Sequence, residues 1–130
     1  MPDIAPGISA ELSIIVSDKD TASTYGSGLV AVYATPAMVG LMEGAAVKAL
    51  EGRLPEEQTT VGGRIDVRHL AATPVGMRVR ARAELVEIQG RKLTFRIEAW
   101  DEVEAIGEAT HERFIVDKEK FIARANAKAR

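Results

Sequence analysis

The stretch Thr35-Pro36-Ala37-Met38-Val39-Gly40-Leu41-Met42-Glu43-Gly44-Ala45-Ala46 decides how this chain is read. Continued through Val47-Lys48-Ala49-Leu50, it predicts a helix that is apolar on nearly every face and carries only Glu43 and Lys48 as charges. A helix apolar all round needs cover on all sides. An ionised carboxylate in such a place is costly unless it has a partner or a task. Thr35 reads as the N-cap and Pro36 as the first helical residue, and the helix stops near Glu51-Gly52, with Gly52 as the C′ residue.

On either side of the helix the periodicity changes. Residues 8–17 alternate loosely and are β-branched at their end, which reads as a first strand. Residues 18–34 are rich in Gly, Ser and Thr and read as a loop or short irregular helix covering something. After the helix, residues 59–70, 77–88, 92–100 and 105–116 read as strands. Met77, Val79, Ala81, Ala83 and Leu85 alternate with Arg78, Arg80, Arg82 and Glu84, and Leu93, Phe95, Ile97 and Ala99 alternate with Lys92, Thr94, Arg96 and Glu98. One buried and one wet face mark an antiparallel sheet. The alternation flips at Val86 and Ile88, which predicts a bulge, and Gln89-Gly90 predicts a tight hairpin. Residues 118–128 read as a short basic amphipathic helix or a frayed tail.

Strand, apolar helix, four antiparallel strands: a single curved sheet covers only part of such a helix. The remaining face calls for a second layer, most economically another copy of the chain. The pattern therefore predicts an α+β, hot-dog fold, a five-stranded antiparallel sheet wrapped around a central helix and paired into homodimers. With 130 residues the chain is expected to form a single domain, 1–130. A net charge of -2 gives no basic footprint for nucleic acid, and the absence of Cys removes disulfides and thiolate chemistry. No signal peptide and no membrane span are expected, so the expected location is cytoplasmic.

Three segments, Ala34-Thr35-Pro36-Ala37-Met38-Val39-Gly40-Leu41-Met42-Glu43, Val67-Arg68-His69-Leu70-Ala71-Ala72-Thr73-Pro74-Val75-Gly76 and Gly107-Glu108-Ala109-Thr110-His111-Glu112-Arg113, resemble the fluoroacetyl-CoA thioesterase family of hot-dog thioesterases. The resemblance runs in register from about Ala34 to Phe121. It implies hydrolysis of a short-chain acyl-CoA thioester to a free acid and CoA, with no metal and no cofactor beyond the CoA of the substrate. It also implies a catalytic set of Thr35, Glu43 and His69, with Gly62 and Arg113 as further site residues. Between Asp18 and Val32, where the fluoroacetyl-specific enzyme carries phenylalanines over its acyl pocket, this chain has Tyr25, Gly26, Ser27, Gly28 and Leu29 and no Phe. The resemblance thus extends to the chemistry and not to strict fluoroacetyl selectivity.

Each of these residues also has a plainer reading. Thr35 can simply cap the helix, and Glu43 can be a satisfied buried carboxylate. His69 can be structural, and with a hydroxyl and a carboxylate in reach it becomes a base. Gly62-Gly63 can be a strand bulge, or can allow close approach by the thioester with an N–H aimed at the oxyanion. Arg113 shares an inward face with Ala109 and needs an anion there; His111 lies on the same face. Two histidines without Cys make a poor zinc site. The Arg78, Arg80 and Arg82 row reads as a solvated face.

Eight residues separate Thr35 from Glu43, about 12 Å at 1.5 Å per residue, so their side chains cannot meet directly. Either His69 bridges them within one chain, or the set is assembled from two chains. A non-catalytic hot-dog protein that binds acyl-CoA as a sensor is the alternative; a hydratase is not supported, because no Asp/His helix motif is present.

Overall fold

The computed structural model describes residues 4–129. Five strands, β1 (Ser9–Ile15), β2 (Gln58–His69), β3 (Arg78–Gln89), β4 (Lys92–Trp100) and β5 (Ala105–Asp117), form one antiparallel sheet in the order β1-β3-β4-β5-β2. The sheet curls around the long helix α2 (Thr35–Ala49), which packs chiefly against β1 and β3 and reaches β4 and β2. This is the hot-dog fold. A 3-10 turn (Asp18–Asp20) and the single-turn helix α1 (Ala22–Tyr25) fill the segment before α2, and α3 (Lys118–Asn126) follows β5.

Period-two patterning produces the inner face. Val79, Ala81, Ala83 and Leu85 of β3 are buried with Leu93, Phe95, Ile97 and Ala99 of β4, against Met38, Met42, Ala45, Ala46 and Ala49 of α2. Small residues across the middle of the sheet let the methionines nest. A Cβ on Gly107 would lie 2.6 Å from the Met38 sulfur and 3.1 Å from the Met42 methyl. The bulge falls at Val86, where the β3–β4 register shifts between Leu85 and Glu87. A second register shift lies between Gly62 and Arg64 in β2. Gln89 pairs with Lys92, so the hairpin turn is Gly90-Arg91, with Gly90 at φ 64, a conformation that glycine adopts without strain. Arg78, Arg80 and Arg82 line the solvated face, where Glu11, Ser13, Ser9, Glu84 and the cross-strand Trp100 ring (4.3 Å from the Arg80 guanidinium) occupy them.

Two expectations change and one holds. The N-cap of α2 is Ala34, with Thr35 already inside the first turn and Pro36 following it. The C-cap is Leu50, which places Gly52 one residue beyond C′, at φ 73. Finally, α2 is buried on one side only. Val47 is half exposed and Glu43 keeps 41% of its side-chain surface, so one chain supplies a single layer of cover and the opposite, largely apolar flank faces outward.

Candidate active site

Thr35 and His69 meet. The segment before α2 is tied to the segment after β2: the Tyr33 N–H donates to the Thr73 carbonyl at 2.8 Å, and Val32 bridges Pro74. Thr73, fully buried, anchors that second segment through a 2.8 Å hydrogen bond from its hydroxyl to Asp101. Burial pushes the Asp101 carboxyl up, yet hydrogen bonds from the Val103 and Glu104 N–H groups and the Thr73 hydroxyl outweigh it and hold it below the usual carboxylate value. With both segments fixed, Thr35 Oγ1 lies 2.7 Å from His69 Nδ1, and no side-chain cap bond competes for the hydroxyl.

His69 is the last residue of β2. Its Nε2 is buried and has no hydrogen-bond partner among the described residues. Burial lowers its pKa from the ordinary histidine value, with the Ala71 backbone acting in the opposite sense. Thr35 and His69 line a cavity of about 430 Å³ with Tyr33, Ala22, Ser27 and Val32 among their neighbours. Tyr33 is 1% exposed, and its hydroxyl also lacks a partner among the described residues; burial first, then Asp20 and Tyr25, raise its pKa and keep it a protonated donor. On the segment leading to α2, Leu29 is fully exposed, while its neighbours Ser27 and Val32 line the cavity.

Glu43 lies elsewhere. Its carboxylate faces β2 and β5, 3.9 Å from Arg113 Nη1 and against Gly62. A Cβ on Gly62 would stand 2.9 Å from Glu43 Oε2, 3.3 Å from His111 and 3.4 Å from Arg113, so glycine makes the room in which these side chains converge. Gly63 belongs to the opposite face, where a Cβ would collide with the Phe114 ring. Arg113 points inward as its alternation predicts. It is 7% exposed, and it donates from Nε to the Thr60 hydroxyl (2.9 Å), from Nη2 to the Thr60 carbonyl (3.1 Å) and from Nη1 to His111 Nε2 (3.1 Å). A guanidinium only donates, so His111 Nε2 must accept, and Nδ1 carries the proton that is donated to the Arg64 carbonyl at 2.7 Å. Burial, followed by the Arg113 charge, lowers the His111 pKa against the opposing pull of the Arg64 carbonyl, Glu43 and Glu112.

One chain therefore holds two separate constellations. Thr35 and His69 meet at the end of β2, while Glu43, about 12 Å further along α2 at 1.5 Å per residue, sits beside Arg113 of β5 and beside Gly62, which precedes His69 by seven residues on β2. The single-chain bridge from Thr35 through His69 to Glu43 does not form, because Glu43 turns toward Arg113 and not back along the helix. The shared face of His111 and Arg113 was legible from their spacing. The part of Thr60 was not, because it depends on how β2 pairs with β5 beside the bulge.

The family model for fluoroacetyl-CoA-specific thioesterase matches residues 16–119. A fluoroacetyl-CoA thioesterase from Streptantibioticus cattleyicolor is 45% identical over 97 residues, 75% of this chain and 70% of that protein. The crystal structure of a single-residue variant of the fluoroacetyl-CoA thioesterase FlK in complex with acetyl-CoA superposes with a TM-score of 0.92 at 35% identity, covering 98% of this chain and 100% of that one. A thioesterase superfamily member from Thermus thermophilus superposes with a TM-score of 0.91 at 33% identity, covering 99% and 96%. The segments that carry the matching residues also form the two constellations, and the chain belongs to the fluoroacetyl-CoA-specific thioesterase family.

Proposed function

We propose that the protein hydrolyses short-chain acyl-CoA thioesters, with Thr35, His69 and Glu43 as its catalytic residues and CoA entering only as part of the substrate. The observation that carries this reading is the 2.7 Å contact between Thr35 Oγ1 and His69 Nδ1, made by a hydroxyl that is not used as a helix cap and that opens on a cavity. With its proton on Nε2, His69 accepts the hydroxyl proton at Nδ1 as Thr35 Oγ attacks the thioester carbonyl. The same proton then leaves with the CoA sulfur, and water, deprotonated in turn by His69, releases the acid from the threonine ester. The lowered pKa of His69 keeps Nδ1 free to accept a proton at neutral pH. Backbone N–H groups at the start of α2 are suited to the developing oxyanion.

The reading extends to a homodimer whose sites are shared. β2 is an edge strand, so one side of its backbone has no neighbouring strand. Antiparallel pairing of β2 with its copy about a two-fold axis near mid-strand carries the His69 end of each chain to the Gly62 end of the other. Glu43 of one protomer then faces Thr35 and His69 of its partner. A relative that is solved with acetyl-CoA bound supports the acyl-CoA assignment.

Free-thiol release from a panel of short acyl-CoAs, measured with the wild type and Thr35→Val, tests the chemistry. Turnover is expected to fall about 100-fold or more in Thr35→Val, in the range typical of lost catalytic groups. Wild-type turnover by that variant would assign the attack to water, with Glu43 as its base. No release from any acyl-CoA, with measurable CoA binding, would identify a sensor instead.

A further inference from the structure

Arg113 and Glu43 are close enough to attract and yet are not hydrogen-bonded. Arg–carboxylate pairs ordinarily close to about 2.8 Å and are often bidentate. Here the nearest approach is 3.9 Å. Glu43 Oε2 already rests against β2, 2.9 Å from where a Cβ on Gly62 would stand, so the carboxylate has come up to the strand. The restraint is on the arginine: three of its N–H groups are committed to Thr60 Oγ1, the Thr60 carbonyl and His111 Nε2. His111 is itself locked from behind by its bond to the Arg64 carbonyl, and it packs beside Phe95 at a ring separation of 6.5 Å.

We propose that His111 and Thr60 are positioning residues that hold the Arg113 guanidinium off Glu43, leaving the carboxylate charge-balanced but free of a direct hydrogen bond. This inference rests on the reading of Glu43 as a catalytic carboxylate. An oxygen already accepting two guanidinium N–H bonds is a poor base and a poor nucleophile, whereas one that is only electrostatically compensated keeps its lone pairs for water or for a catalytic partner. The neutral imidazole suits the task because it accepts at Nε2 with no charge of its own, so it restrains the arginine without competing with Glu43 for it.

The test combines crystal structures with kinetics on the intact protein. In His111→Phe, which keeps the ring and removes the acceptor, Arg113 Nη1 is expected to close on Glu43 to about 2.9 Å. kcat for a short acyl-CoA is expected to fall about 10–100-fold, the scale of a 1 Å misplacement, with KM within about twofold. In His111→Gln, whose Oε1 extends about as far as Nε2, the separation and most of kcat are expected to return. Thr60→Val removes one of the other restraints and is expected to shift both quantities partway, which keeps the inference testable if His111→Phe does not fold. An unchanged separation in His111→Phe and Thr60→Val would overturn it, and so would contraction without loss of kcat. A wild type that releases thiol from no acyl-CoA would refute the thioesterase reading alone, and the two separations would still decide whether His111 restrains Arg113.

Discussion

At Thr35, a local and a long-range use compete for one hydroxyl. A threonine beside a helix start is ordinarily a cap, bonding a backbone N–H two or three residues ahead. Ala34 takes that position without a side-chain bond, and Pro36, which has no N–H, reduces the number of donors that need satisfying. The hydroxyl is thereby released to His69. Gly62 shows the same economy by subtraction, since its missing Cβ is the space occupied by Glu43, His111 and Arg113. Gly62→Ala is expected to displace the carboxylate, a flexible side-chain end, and to lower kcat/KM about tenfold or more with little change in thermal midpoint. An active enzyme with an unmoved carboxylate would show that this space is not needed. The two histidines set a pH dependence. Both are held below the ordinary value of 6.5, chiefly by burial, so between that value and their folded-state values the unfolded chain binds more protons. Stability is therefore expected to be level above about pH 6.5 and to decline on acidification before the carboxylates titrate. Denaturant midpoints across this range check it, and a rise in stability on acidification would contradict it.

At the level of elements, helix and sheet were legible because each has a strong period, and the strands most clearly because β3 and β4 alternate without interruption up to Val86. Their ends were less legible: β2 and β3 begin and end a residue away from the pattern, since pairing partners and not local composition decide where a ladder stops. The depth of contact between α2 and the sheet was not legible at all. It depends on Gly107 of β5 lying under Met38 and Met42 of α2, with three strands between them in sequence. Gly107→Ala is expected to overpack this contact and cost about 1–3 kcal/mol in urea unfolding, because the methionine ends are flexible but fully buried. A loss of less than about 0.5 kcal/mol would mean that the helix can lift without penalty. By contrast, α3 buries none of its residues, consistent with its basic, weakly apolar sequence.

For the whole molecule, the decisive feature is the separation of the two constellations along β2. Within one chain Glu43 turns to Arg113 while His69 meets only Thr35, so the proposed catalytic set is complete only when the His69 end of one chain meets the Glu43 end of another. Mixing inactive Thr35→Val with inactive Glu43→Gln is therefore expected to restore about one quarter of wild-type activity. Random pairing makes half of the dimers mixed, and each mixed dimer has one intact site of two. No recovery after subunit exchange, in a preparation shown by sedimentation to contain mixed dimers, would place the whole set in one chain.

The sequence alone determined the fold class and the inward faces of β3, β4 and β5, because periodicity and residue type are local properties of the chain. Only the tertiary structure decided that Thr35 bonds His69 and does not cap its helix, that Glu43 turns to Arg113, and that His111 and Thr60 accept hydrogen bonds from that arginine. Those choices depend on which strand edge and which helix end come within hydrogen-bond distance. That is fixed by sheet order and bulge position, which no single segment encodes.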